Sequence, residues 1–467
     1  MNRYKRLCIL LGVLAAFCGA TLLVLQIEEH KEKIRNSEDV ILELPSDSVR
    51  SLSWEYEGET LAFHKEDVWL YDEDAAFPVS EERINELLEP FQEFGVSFII
   101  EDVEDYGQYG LNNPICTIDL ATEEQSYQVK LGNYSNMDSK RYVSIGDGNV
   151  YLVQNDPLDY FDTNIRSMIA NDDTPAFDHV TGIQFSGEKK YSVVYEEDGT
   201  GSYSSNDVYY AEIGGKKMPL ATAKVDSYLM TITSIKPTDY VTCKAGEEDL
   251  AAYGLENPDL TITVDYTTED EDGKQEANTF VLSIGQDPVE KARAAAEEDE
   301  ENGGESVTSY IRIGESQIIY KISEDRYDML AAAFYDDFRH SEVLWADFLD
   351  VQQIDISLDG ADYSLTSEKD GDERTWFYQD EELEIWSFEY ALEALSADSF
   401  TSERPSQKEE IKLTVYLDNE NYPQISISLY RYDGAYCLAV VDGQPVSLVD
   451  RTAVVDLIEA VHAIVLN

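Results

Sequence analysis

Tyr109-Gly110-Leu111-Asn112-Asn113-Pro114 returns as Tyr253-Gly254-Leu255-Glu256-Asn257-Pro258, displaced by 144 residues. The recurrence reads as an internal duplication. Other landmarks follow in the same order: Tyr142-Val143-Ser144-Ile145-Gly146 against Tyr310-Ile311-Arg312-Ile313-Gly314, then Phe161 to Arg166 against Phe334 to Arg339. The second copy is longer by one insertion, 287–309, carrying the tract Ala294-Ala295-Ala296-Glu297-Glu298-Asp299-Glu300-Glu301-Asn302-Gly303-Gly304. Such a tract has little to bury and is expected to be a disordered acidic loop. The motif itself reads as a turn: Gly254 at the left-handed position after a short helix, Leu255 covering it, and Pro258 preventing the helix from resuming.

Working outward, three hairpins open three units. Val49–Tyr56 and Thr60–His64 alternate around Glu57-Gly58-Glu59, Gly182–Ser186 and Tyr191–Tyr195 around Gly187-Glu188-Lys189, and Ile354–Leu358 and Tyr363–Thr366 around Asp359-Gly360-Ala361. The third unit is degenerate: Trp376-Phe377-Tyr378 resembles Trp69-Leu70-Tyr71, but no Tyr-Gly-Leu follows. Helical periodicity places Ile84, Leu87, Leu88 and Phe91 on one buried stripe, Val225, Leu229 and Ile232 on a second, and Phe388, Leu392 and Leu395 on a third. Ser80 is the expected N-cap of the first helix, Pro90 should bend or shorten it, and Asp450 should start a closing helix. The fold class is α+β: tandem units of antiparallel sheet with packed helices at 40–177, 178–345 and 346–467.

The 467 residues carry 95 acidic and 34 basic side chains, a formal charge of -61, which repels phosphate backbones and argues against a nucleic-acid partner. Leu7–Ile27 is free of charged side chains, long enough to span a bilayer, and flanked by Arg3, Lys5 and Arg6 before it and Glu28 and Glu29 after it. The positive-inside rule then makes 1–6 a cytoplasmic tail, 7–27 a signal anchor contacting the lipid bilayer, 28–39 a linker, and the rest extracytoplasmic at the cell membrane. Cleavage after Cys18-Gly19-Ala20 competes with this, but the apolar run continues through Leu25. A lipidated Cys18 is disfavoured by the bulky Phe17. Cys116, Cys243 and Cys437 sit in strand-like runs and read as small buried residues.

Chemistry is sparsely signalled. The nucleotide, dinucleotide, zinc-protease, Cys-x-x-Cys and Gly-x-Ser-x-Gly patterns are all absent from the sequence. Ser186-Gly187-Glu188-Lys189 has Ser-x-x-Lys spacing but falls in a hairpin loop. Asp270, Asp272 and Gly273 echo a calcium loop in which Thr268 and Thr279 stand where carboxylates belong. The five histidines, His30, His64, His179, His340 and His462, share no metal-ligand spacing and read as surface or interface residues. The 31 tyrosines read as strand packing residues, and Arg166 and Arg339 as ion pairs at the joints between repeats. No catalytic, metal or cofactor-binding residue is nominated.

The N-terminal anchor, Trp69-x-Tyr71, the two Tyr-Gly-Leu-x-x-Pro elements, Leu131-Gly132 and Ile284-Gly285, and the Phe-to-Arg elements together resemble a bacterial family, domain of unknown function 4340. Its members are commonly encoded beside gliding-motility-type ABC transporter auxiliary subunits, so the resemblance implies a membrane-tethered, non-enzymatic accessory or scaffold with a transporter permease or auxiliary subunit as partner. The residues leave a second expectation open, an extracellular binding module for a wall polymer, carbohydrate or peptide.

Overall fold

The computed structural model describes residues 33–270, 273–297, 306–371 and 373–466. The expected tail and anchor at 1–27 lie outside the described residues. Among those described, no helix is long and apolar enough to cross a membrane.

Antiparallel sheets with a few helices make an α+β chain. The middle sheet runs edge to edge through Lys216–Pro219, Tyr209–Ile213, Tyr191–Tyr195, His179–Gly187, Leu260–Glu269, Gln275–Gln286, Ser309–Ile313, Ile319–Ile322 and Tyr240–Thr242. The last sheet runs through Glu381–Leu383, Glu373–Tyr378, Ala361–Asp370, Val351–Leu358, Glu409–Leu417, Gln424–Arg431, Tyr436–Val441, Gln444–Asp450 and Ala397–Phe400. Counted from each unit's first strand, the two orders are identical. The first sheet repeats the order without the fourth strand and adds Lys33–Asn36 and Val40–Leu42, both beside Phe94–Glu101. In every unit the opening meander ends at one edge and a helix carries the chain to the other side of the sheet, the far edge itself in the middle and last sheets, from which it returns to pair with the opening strand. The degenerate third repeat thus keeps the strand order after losing the motif.

The chain divides into two compact units, Met1–Asn171 and Asp172–Asn467, the second holding both the middle and the last sheet. Turn chemistry sets the opening hairpins. Glu57 and Gly58 both take positive φ, as do Asp359 and Gly360, the two-residue turn whose twist matches the strands. Ser80 caps Glu81–Gln92 by accepting from the Arg83 N–H at 3.2 Å. Pro90 lies inside that helix, two residues from its end, and its missing N–H costs one i to i−4 backbone bond there. Asp450 caps Arg451–Val465 through the Thr452 N–H at 2.6 Å. Ile84, Leu87, Leu88, Phe91, Val225, Ile232, Phe388, Leu392 and Leu395 are all buried.

Tyr-Gly-Leu forms the same cap twice. After Glu247–Ala252, the Leu255 N–H donates to Leu250 O at 2.7 Å and the Gly254 N–H to Ala251 O at 3.3 Å; after Tyr106–Tyr109, the Leu111 N–H donates to Tyr106 O and the Gly110 N–H to Gly107 O, both at 3.0 Å. This is a Schellman closure with glycine left-handed at φ 70° and 74°. The structure adds a second glycine. A Cβ on Gly254 would fall well under 3.0 Å from Gln286 O, and one on Gly285 equally close to Gly254 O; Gly132 stands in the same relation to Tyr109 O. Two backbones therefore touch where Leu131-Gly132 and Ile284-Gly285 pass the turn, and the motif tyrosines pack on sheet tyrosines, Tyr109 on Tyr142 at 4.8 Å and Tyr253 on Tyr310 at 4.7 Å.

Two expectations are corrected. The insertion is not loop throughout: Pro288–Glu297 is helical. Asp287 accepts from the N–H groups of Val289 and Glu290 at 2.8 and 3.0 Å, Pro288 opens the helix, and Lys291 pairs with Asp259 at 2.7 Å. Glu290 accepts from the Thr308 N–H at 2.7 Å and so ties the two ends of the insertion together, while 298–305 lie outside the described residues. Phe334 is also no counterpart of Phe161. It is 56% exposed, whereas buried Phe338 packs on strand residue Phe185 and helix residue Tyr228 as Phe161 packs on Trp54 and Phe91.

Candidate binding site

The loop between Tyr191–Tyr195 and Tyr209–Ile213 is built from short hydroxyl side chains that bond to nearby backbone. Ser202 Oγ accepts from the Ser204 N–H at 3.3 Å and Ser204 Oγ from the Asn206 N–H at 3.2 Å, while Thr222 Oγ1 donates to Asn206 O at 3.0 Å. These turns bring Asp207, 3% exposed, beneath the loop. There its Oδ2 accepts from Ser202 Oγ at 2.5 Å and from His340 Nε2 at 2.9 Å. A carboxylate only accepts, so the proton lies on Nε2. The His340 ring stacks on Trp345 at 4.9 Å and 7°, and Trp345 Nε1–H donates to Ser202 Oγ at 3.2 Å.

The last sheet grips the same loop. Tyr422 OH donates to Gly201 O at 3.0 Å, Asn419 Nδ2 to Tyr203 O at 3.5 Å, and Tyr203 OH to Asp442 Oδ2. Burial, reinforced by the Asp442 carboxylate, pushes the Tyr203 hydroxyl well above its ordinary pKa, so it stays a donor. Tyr203 packs on Trp345 at 4.7 Å and on Tyr422 at 5.1 Å. Within this unit Tyr203, Tyr422, Trp345, His340 and Asp442 wall a cavity of 310 Å³ that also meets Lys217, Met218, Arg339 and Gln444.

Asp207 is a hub and not the end of a relay. In acyl-transfer triads the imidazole sits between hydroxyl and carboxylate. Here Ser202 and His340 both reach the same carboxylate oxygen, which fixes the loop to the segment after Phe338.

Other sequence candidates lie elsewhere. Lys189 donates to Ala331 O and sits 3.7 Å from the Phe334 ring centroid, with burial lowering its pKa; Ser-x-x-Lys here is a strand end followed by a docking lysine. Asp270 Oδ1 accepts from the Lys274 N–H at 2.8 Å to close a hairpin, and among the described residues no three His, Cys, Asp or Glu side chains gather as for a metal. Cys116 and Cys437 are buried free thiols, raised by burial to about 12 and about 11. Arg166 lies in the turn Ile165–Met168. Arg339 pairs with Asp336 in its own turn at 3.3 Å and lays its guanidinium 4.0 Å from the Phe400 ring centroid, so it meets the last sheet through an aromatic face and not an ion pair. Of the surface and interface places expected for the histidines, His340 takes the second, enclosed between Asp207 and Trp345.

Fold and site together define a tandem-repeat α+β protein with an aromatic-walled cavity. The model of the family described as domain of unknown function DUF4340 matches residues 69–209 and 213–414, and the chain belongs to that family. The two segments start the same 144 residues apart as the two Tyr-Gly-Leu motifs, and the first starts at the third strand of its unit's opening meander, so the family's unit is offset from the sheets. No curated protein and no solved structure matches.

Proposed function

We propose that the chain is a non-enzymatic accessory scaffold, tethered at the cell membrane through 7–27 with its folded part extracytoplasmic, and that it serves an ABC transporter through a permease or auxiliary subunit. Support for the non-enzymatic part comes from the Ser202–Asp207–His340 hub, in which the groups able to do acid–base chemistry are spent on holding a loop. Tethering raises the effective concentration of an accessory beside its transporter. The test replaces 1–27 with a cleavable secretion signal, follows the transporter-dependent phenotype, and recovers partners from native membranes with the anchored form. Full function from the released chain, with no transporter subunit recovered, defeats the proposal. One observation favours the binding-module reading as a second role: the pinned, aromatic-walled cavity.

A further inference from the structure

Resting on that binding-module reading, we propose that the cavity between the 197–208 loop and the last sheet takes an uncharged saccharide. At 310 Å³ it falls at the small end of ligand clefts, which run from roughly 300 to 1,000 Å³. Every charged side chain in its wall already has a partner. Lys217 pairs with Glu196, Arg339 with Asp336, and Asp442 accepts from Tyr203 OH and from the Ser426 N–H at 2.8 Å. A charged ligand would have to compete with these partners, so the wall does not select for charge.

What remains is amphipathic. Tyr203, Tyr422 and Trp345 give flat apolar surface, Met218 an adaptable thioether, and Gln444 an amide that both donates and accepts. A sugar ring has the matching chemistry, with C–H groups on its faces and hydroxyls around its edge. The wall is also set before any ligand arrives, because Asp207, His340 and Tyr422 fix the loop from both sheets, and a pre-set wall reduces the ordering cost of binding.

The experiment titrates the purified full chain in detergent with chitotriose, cellotriose and maltotriose, and with tetra-alanine as the peptide arm, by calorimetry. At least one trisaccharide should bind at millimolar affinity or tighter. Met218→Trp, which fills the cavity, should weaken it about tenfold or more, and Gln444→Ala, at an exposed hairpin position, should weaken it severalfold. Melting curves check that both variants fold, and Gln444→Ala carries the test if Met218→Trp does not. No sugar binding, binding of the peptide alone, or sugar binding unchanged in both variants overturns the assignment. A sugar null with transporter subunits still recovered removes only this assignment; sugar binding with no transporter recovered removes only the accessory role.

Discussion

Three glycine-to-alanine variants separate two costs that the paired glycines combine. Gly360 has φ 82° in a hairpin turn with nothing within 4 Å of an added Cβ, so Gly360→Ala isolates backbone strain, roughly 1–2 kcal/mol. Gly285 has no positive φ, but its Cβ would meet the backbone of Gly254, with the carbonyl carbon at 2.8 Å and Tyr253 O at 3.3 Å. Gly285→Ala isolates crowding, about 1–3 kcal/mol where the neighbours are backbone and cannot rotate away. Gly254→Ala carries both costs, φ 70° together with Gln286 C and N at 3.1 and 3.2 Å, and should lose about 2–5 kcal/mol. Urea unfolding followed by circular dichroism, with the slope checked for constancy, ranks them Gly254→Ala worst and Gly360→Ala mildest. The double variant at 254 and 285 should cost less than the sum of its singles, since one displacement of the turn relieves both clashes. If Gly254→Ala is no worse than Gly360→Ala, the two backbones do not touch and the account of the motif is wrong.

Phe338→Ala should destabilise by about 3–5 kcal/mol while Phe334→Ala changes stability little; thermal melts in which the two rank the other way would restore Phe334 as the counterpart of Phe161. Hydrogen bonds from Thr452 hold Asp450 below its ordinary 3.8, so its stabilising contribution is present above that value and is lost as pH falls through the lower folded one. The Tm difference between the native chain and Asp450→Asn should therefore shrink as pH drops below about 4, and a difference independent of pH would remove the carboxylate from the cap.

How much of this was legible varies with distance along the chain. The hairpins at Glu57-Gly58 and Asp359-Gly360 and the caps at Ser80 and Asp450 could be read because a local backbone need selects the residue type. The glycine at position 254 was readable as a turn for the same reason. Its contact with Gly285 was not, because the partner comes from another strand and glycine offers no side-chain pattern. The helix at Pro288 could have been found, since Asp287-Pro288 is a cap followed by proline at the first helical position, but the acidic tract behind it dominated the composition. Asp207 and His340 meet across 133 residues and match no spacing motif, so only the fold brings them together. The third unit was faint because it lacks the Tyr-Gly-Leu turn, while its strand order is carried by alternation that many sequences satisfy.

The shared strand order also has a kinetic side. Each opening strand finishes its hairpin early, yet its other neighbour belongs to a segment synthesised much later: Trp54 waits for Ile118, Phe185 for Ile262 and Ile354 for Val415. At roughly 5–20 residues per second that wait lasts several seconds, three times over, with apolar strand edges open to other nascent chains. A formal charge of -61 makes such chains repel one another during that interval, so the acidity that specifies no ligand can still protect assembly.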